Sequence, residues 1–399
     1  MPFEAQRKSY VREHLWYCEI EVSGTTIRIC ENVGPIPVDL DAMPLLKSSS
    51  ITPAQVNLAG GIGQRASVTA TFNVGLDYRI YGTESAPVRF WENWRARNAG
   101  YQGARFSLFS GYIVNGAFNI ENFERRDYII ESFSHTASGA SITAKDTLKM
   151  TSGDRAVAPR KSTGILTVDL TAVATSCTLG PAGVGNLEYP ASGWLRFGDE
   201  VVSFTRSADV FTILRAQYNT LAEEHGQNDL GQLCLYYNDN LSNIMYDLYT
   251  DYAEVPTAQI NKVQWDNEVD QNLPGLYEAL ITEAVGVNKL AKELAESAPH
   301  FQYWDERINK IVLTAIKAPP DIAQCYTAEA NILEGSTIIR DEPDMRVSTV
   351  IVRFGQRDPT KKLDDESNYK QGQVRITPLS IAKYNGVQKF KFINSRWIS

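Results

Sequence analysis

Residues 193–235, GWLRFGDEVVSFTRSADVFTILRAQYNTLAEEHGQNDLGQLCL, decide the fold class. Trp194–Phe197 and Val201–Thr205 are short strand-like runs on either side of Gly198-Asp199, a dipeptide suited to a tight hairpin turn. A second turn at Ser207-Ala208-Asp209 leads into Phe211–Arg215. The polar stretch Ala216–His225 reads as a loop, and Gln232–Leu235 as a returning strand. The segment predicts a small all-β unit.

The same period-two patterning extends towards the N-terminus. Trp16, Cys18, Ile20 and Val22 alternate with Tyr17, Glu19 and Glu21, so His14–Cys30 predicts a hairpin turning at Ser23-Gly24. Pro35, Pro37 and Pro44 mark a loop. Ser67–Val74, Phe106–Val114, Arg126–His135 and Gly139–Lys145 read as strands, and 88–100 is compatible with a short helix. Residues 151–164 have linker composition. Beyond Tyr237 the period changes: Leu241, Ile244, Met245, Leu248, Tyr249 and Tyr252 share one helical face, with Asp239 or Asn240 as N-cap and Pro256 as stop. A second helix is expected over Asn288–Ser297. Paired strands follow at 301–304 and 308–316, with more at 347–354, 373–376 and 388–392, the last group around a charged loop, 356–369.

A chain of 399 residues with 43% hydrophobic side chains has material for two to four packed domains. The formal charge of −8 argues against a general nucleic-acid binder, which needs a basic stripe. No run reaches transmembrane length, and the N-terminus lacks a basic-then-apolar signal pattern. Synthesis in the cytoplasm is expected.

Longer phrases carry a resemblance. The 193–235 segment resembles a β-module of long-tailed bacteriophage tail proteins. RRDYIIESFSHTASGASITAKDTLKM (125–150), DRAVAPRKSTGIL (154–166), IMYDLYTDYAEVP (244–256), 286–320, 346–365 and NSRWIS (394–399) resemble parts of the tail baseplate hub proteins of siphophages and gene transfer agents. That family is similar in fold to the hub of contractile-tailed phages. The resemblance implies a mainly β, multidomain chain with an α+β portion. The domains expected are a first tube-like β-barrel domain at 1–160, an inserted small β domain at 161–238 that projects outward, an α+β domain at 239–345, and a second tube-like β domain at 346–399. Family members often continue past this point, which leaves the second barrel short. The resemblance further implies a structural virion protein of the tail tip rather than an enzyme. Its homotrimer would join a six-fold tube to a three-fold tip and touch the distal tail protein, other tip proteins and the tape measure protein. DNA would pass through the channel without specific binding, along a surface that is acidic or neutral. A tail-associated receptor- or carbohydrate-binding protein is the alternative.

Candidate chemistry is sparse: no catalytic, cofactor or metal residue is expected. Cys18, Cys30, Cys177, Cys234 and Cys325 lack paired spacing and read as buried small residues. His14 and Cys18 stand at i, i+4, which is metal spacing on a helix but not on a strand. His225 reads as a residue that ties its loop. Gly60–Gly63 lacks the spacing of a phosphate cradle, and Ser110-Gly111 lacks the frame of a nucleophile elbow. Asp341, Glu342 and Asp344, like Asp364, Asp365 and Glu366, read as solvated loop carboxylates. Trp91, Trp94, Arg95 and Arg97 read as an interface anchor in preference to a base-stacking platform.

Overall fold

The computed structural model describes residues 13–32, 36–54, 65–75, 89–152, 156–317 and 346–399. The chain is mainly β, and seven strands near the N-terminus close into a barrel. They are β1 (Glu13–Val22), β2 (Thr25–Glu31), β3 (Met43–Thr52), β4 (Ser67–Asn73), β5 (Arg105–Ile113), β6 (Phe123–Thr136) and β7 (Gly139–Lys145), in the order β1-β2-β3-β4-β7-β6-β5 with β5 returning to β1. Within the barrel, among the described residues, only β2 and β3 pair in parallel.

Alternation fills the inside. Cys18, Ile20, Ile29, Val68, Ala70, Phe72, Phe106, Leu108, Ile142 and Ala144 point inward and are buried, so the barrel is a packed core with no bore. Helix α1 (Phe90–Arg97) packs across Phe72 and Phe133 at one end, with Trp91 donating from Nε1 to the Asn73 carbonyl at 3.0 Å. Both indoles belong to this core, at 3% and 2% exposure for Trp91 and Trp94. The expected interface anchor is therefore a core element.

The loop expected around Pro35, Pro37 and Pro44 gives way to β3 from Met43. Pro44 is tolerated because the β2–β3 register shifts between Ile29↔Met43 and Glu31↔Leu46, where a missing N–H breaks no regular ladder.

After β8 (Val157–Ala158), a seven-stranded sheet has the order β15-β14-β11-β12-β13-β10-β9. Its strands are β9 (Ile165–Leu166), β10 (Ser176–Gly180), β11 (Ser192–Phe197), β12 (Glu200–Ser207), β13 (Val210–Gln217), β14 (Gln232–Asn240) and β15 (Leu276–Ile281), with the short helix α2 (Val184–Glu188) between β10 and β11. Leu166, Leu179, Leu195, Phe197, Phe204 and Phe211 form a core of this module, separate from the barrel's. Strand β14 crosses the boundary drawn at 238: Gln232–Cys234 pair with β11 and Leu235–Asn240 pair with β15.

Asn240 caps α3 (Leu241–Asp247), accepting from the Asn243 amide at 2.9 Å, and the helix runs on as a π-turn over Leu248–Tyr252. Then follow α4 (Lys262–Asn272), β16 (Val285–Gly286), which pairs with β8, α5 (Val287–Ser297) and the hairpin β17 (His300–Asp305) and β18 (Lys310–Ala315). Their buried side chains, Tyr249, Trp265, Leu290 and Trp304 among them, join the barrel interior in one apolar core. The C-terminal region is a three-stranded open sheet, β20 (Tyr369–Ile376), β19 (Thr349–Gln356), β21 (Phe390–Asn394), with α6 (Pro378–Lys383) between β20 and β21. It docks through Trp397, which is 0% exposed.

One ion cluster holds the module's long loop. Glu200 is fully buried and receives Arg215 twice, Nε to Oε1 at 2.8 Å and Nη2 to Oε2 at 2.6 Å. His225 Nε2 lies 2.9 Å from Oε2, and the Ala216 amide donates to Oε1 at 3.0 Å. His225 thus ties its loop, and its main chain pairs with Leu170 in both directions. Burial alone would raise the Glu200 carboxyl, but the hydrogen bonds from Arg215, His225 and the amides outweigh it and hold the group at about 2.

Two predictions follow from these contacts. Glu200→Gln leaves the Arg215 guanidinium buried without its counter-charge and is expected to cost about 3–5 kcal/mol of module stability in denaturant unfolding; a loss under about 1 kcal/mol would contradict this clasp. Because the folded-state value lies below the ordinary 4.5, the contribution is complete above pH 4.5 and is lost as pH falls towards 2, a slope that Glu200→Gln should remove. In the barrel, Gly139 has φ +155°, and an added Cβ would stand 2.1 Å from the Phe72 carbonyl oxygen across the β4–β7 pairing. Gly139→Ala should cost at least about 1 kcal/mol, read as a lower denaturation midpoint.

Candidate functional site

The sequence candidates are dispersed. His14 is exposed on β1, whereas Cys18 points into the barrel, so the pair shares no site. His14 Nε2 instead lies 3.1 Å from Ser110 Oγ on β5. A nucleophilic serine needs its histidine oriented by a third group, and among the described residues only Ser110 hydrogen-bonds this ring. Cys18, Cys30, Cys177 and Cys234 are free and buried, and burial pushes their thiols up, to about 11 for Cys30 and Cys177 and about 12 for Cys234. Asp365 accepts from the Ser367 amide and hydroxyl at 3.0 and 2.6 Å, and Glu366 pairs with Arg353 at 2.9 Å, so these carboxylates build a turn. Asp364 is exposed beside them. Gly60–Gly63, Cys325, Asp341, Glu342 and Asp344 lie outside the described residues.

The surface that the structure does assemble lies on the outside of the barrel. Strands β3, β4, β7 and β6 are consecutive neighbours, and their registers align outward positions into rows. Ser50 stands opposite Thr69, Thr69 opposite Thr143, and Thr143 opposite Ser132. The next row is Ser48, Thr71, Ser141 and Ser134. Each row spans three inter-strand gaps, about 14 Å, and the two stand about 7 Å apart. None of these hydroxyl residues is buried, and Ser48 Oγ bonds Thr71 Oγ1 at 2.6 Å.

Neither row carries an ionisable side chain. Charge borders the rows: Lys47 is exposed beside Ser48 where the β3 register shifts, and Glu131, beside Ser132 where the β6 register shifts, pairs with Lys145 at 2.8 Å and is bonded by Lys149. Lys145 and Lys149 hold Glu131 below the ordinary carboxylate range, although burial acts in the opposite direction. Within the two rows the face is thus hydrated, neutral and uniform. Sequence reading found the strands SVTATFN, ESFSHT and GASITAK individually, but neither KSSSIT nor this face. The signal was there in their alternate Ser and Thr positions; the pairing order that aligns them was not.

The C-terminal sheet differs in kind. Val374, Ile376, Leu379, Val387, Phe390 and Phe392 are each at least 53% exposed. Phe390 and Phe392 stack at 6.3 Å, and the strand registers put Ile376 in the row of Phe390 and Val374 in the row of Phe392, so the sheet carries an apolar surface.

No family model matches the chain, and no curated protein matches it. Among solved structures, a chain of a particle described as "Virion of native gene transfer agent (GTA) particle" is similar at 12% sequence identity and a TM-score of 0.24, covering 58% of this chain and 82% of that one. A likeness at that score carries no argument about fold or function.

Proposed function

We propose that this chain is a structural virion protein of a tail tip, a baseplate hub that assembles as a homotrimer around a central DNA channel. The observation that carries the reading is the neutral hydroxyl face on a barrel whose interior is filled. A channel cannot run through such a barrel, so it must lie between copies, bordered by an outer face. The Ser50–Ser132 and Ser48–Ser134 rows suit that border. They offer hydration without the cations that would hold a polyanion by counterion release, and without fixed charge of like sign to repel it. The sequence phrases resembling tail hubs support the same reading.

The exposed apolar surface of β20, β19 and β21 supports assembly. A sheet whose two edges are unpaired among the described residues, with a stacked Phe pair, is covered by association, and closed cyclic symmetry covers it in every copy at once. In this reading the work of the protein is geometric: it adapts a six-fold tube to a three-fold tip and holds the distal tail protein, other tip proteins and the tape measure protein. Catalysis and a bound cofactor have no part in it.

The test adds charge to the face. Thr69→Lys with Thr143→Lys places two lysines per chain and six per trimer on the border. The assembled ring should then bind double-stranded DNA that the parent does not bind at about 0.15 M salt. The expected slope of log K against log salt is about −5, six phosphates at about 0.9 each. Cysteines placed at the same two positions should react with maleimide in the isolated chain and be shielded from large maleimides in the assembly. DNA binding unaltered by the lysines, or full labelling by large reagents in the assembly, would exclude this face from the channel. A reconstruction with one or six copies at this level would exclude the trimer.

A further inference from the structure

We propose that the cleft between the β-module and the C-terminal sheet binds a single neutral pyranose unit, either free or within a polysaccharide. The inference is independent of the channel reading. The cleft has a volume of about 220 Å³, below the roughly 300 Å³ of sites for drug-sized ligands, and therefore accommodates about one ring.

One wall is aromatic. Tyr218 and Tyr236 line it, and Trp194 packs against both, with ring centroids 6.2 Å and 5.0 Å away. The opposite wall is the C-terminal sheet, which presents Gln356, Gln371 and Lys370. Glu278 stands between them and accepts from the Tyr236 hydroxyl at 3.0 Å.

The loop that carries Tyr218 is built against backbone preference. Ala216, Tyr218 and Asn219 have φ of 54°, 54° and 59°. Each costs about 1–2 kcal/mol in a residue with a Cβ. Surrounding bonds impose the conformation. The Ala216 amide is held by Glu200, Thr220 Oγ1 donates to the Gln217 carbonyl at 2.7 Å, and Asn219 Nδ2 donates to the Arg357 carbonyl at 3.2 Å. The outcome is a Tyr218 ring kept 36% exposed beside the cleft instead of buried with its neighbours.

The chemistry of the walls selects the ligand class. An aromatic face takes the C–H side of a pyranose, and carboxamides and a carboxylate take its hydroxyls as donors and acceptors. The side-chain carboxamides of Gln356 and Gln371 make no hydrogen bond among the described residues, so both are available. Lys370 offsets Glu278, and Arg396, which also lines the cleft, is paired with Glu293 at 3.0 Å, so no unbalanced cation favours a phosphorylated or strongly anionic ligand. An extended peptide needs a groove longer than one ring.

The test uses the full chain and saturation-transfer NMR. The probes are the methyl glycosides of glucose, mannose, galactose and N-acetylglucosamine, with linear oligomers of each in a second arm. At least one monosaccharide should show transfer with a dissociation constant in the millimolar range, and its oligomer should bind at least as well if the natural source is a polysaccharide. Tyr218→Ala should weaken binding tenfold or more. Gln371→Ala, on an exposed strand, should weaken it several-fold with an unaltered unfolding midpoint, which separates ligand contact from folding. Absence of transfer to all four glycosides would overturn the proposal, as would equal binding by the parent and both variants.

Discussion

Period-two alternation around a closed sheet is the constraint from which most of this structure follows. In the barrel each inward residue fixes the face of its two neighbours, and closure fixes the register all round. Val68, Ala70 and Phe72 occupy the interior only if Thr69 and Thr71 face out, and pairing with β3 and β7 carries that choice across to Ser50, Ser48, Thr143 and Ser141. The hydroxyl rows are the complement of the core rows. A one-residue slip in any of the four strands would exchange the two, burying hydroxyls and exposing Ile142 or Phe72. Selection for the core therefore holds the neutral face in place as well, and the chemistry of that face is free to vary only among outward side chains.

Two fully buried carboxylates show how partners decide the outcome of burial. Glu200 meets a guanidinium, an imidazole and amides, and stays ionised far into acid. Asp146, at the end of β7, accepts among the described residues from the Ala66 and Leu148 amides, at 2.6 and 3.0 Å, and burial, outweighing these bonds and the charge of Arg65, lifts it to about 6. Above pH 6 the folded chain bears the cost of that ionised group, and the cost shrinks as pH falls through 6 towards 3.8. The first carboxylate therefore ties a loop at neutral pH, while the second closes the seam between β4 and β7 at some expense of stability. Its backbone bonds are of the kind that no apolar residue supplies, since the Ala66 and Leu148 amides would otherwise be buried unpaired.

Much of the fold was legible because these strands alternate and the helix at Leu241 carries a full apolar stripe after an Asn cap. What escaped did so for identifiable reasons. Met43–Thr52 contains Pro44, a loop signal that a register shift renders harmless. Lys262–Asn272 buries only Trp265 and Val269, so its amphipathic pattern is thin. Leu276–Ile281 is a strand because β14 extends beyond the module to meet it, a long-range pairing with no local mark. The Trp91–Arg97 segment resembled a surface anchor because Trp and Arg are the residues enriched at protein interfaces. Its indoles in fact fill the end of a barrel that composition could not reveal. His225 was legible as a loop tie, but Glu200 was not, because the partner that makes it a buried anion, Arg215, stands 15 residues away on the next strand.

The shared strand β14 also determines what kind of object the module is. A unit joined by a flexible linker reorients at little cost, whereas this one is continuous with the rest through six residue pairs, Leu235–Asn240 against Ile281–Leu276. Swinging it would break that ladder and the bond from Asn219 Nδ2 to the Arg357 carbonyl, at 3.2 Å. The two walls of the cleft are therefore held at a set separation before any ligand arrives. Tyr236 lies on β14 itself, Glu278 on its partner strand, and Gln356 on a sheet anchored by Trp397, whose carbonyl accepts from the Glu278 amide at 3.1 Å. Ordering that would otherwise oppose the proposed binding is thus completed during folding.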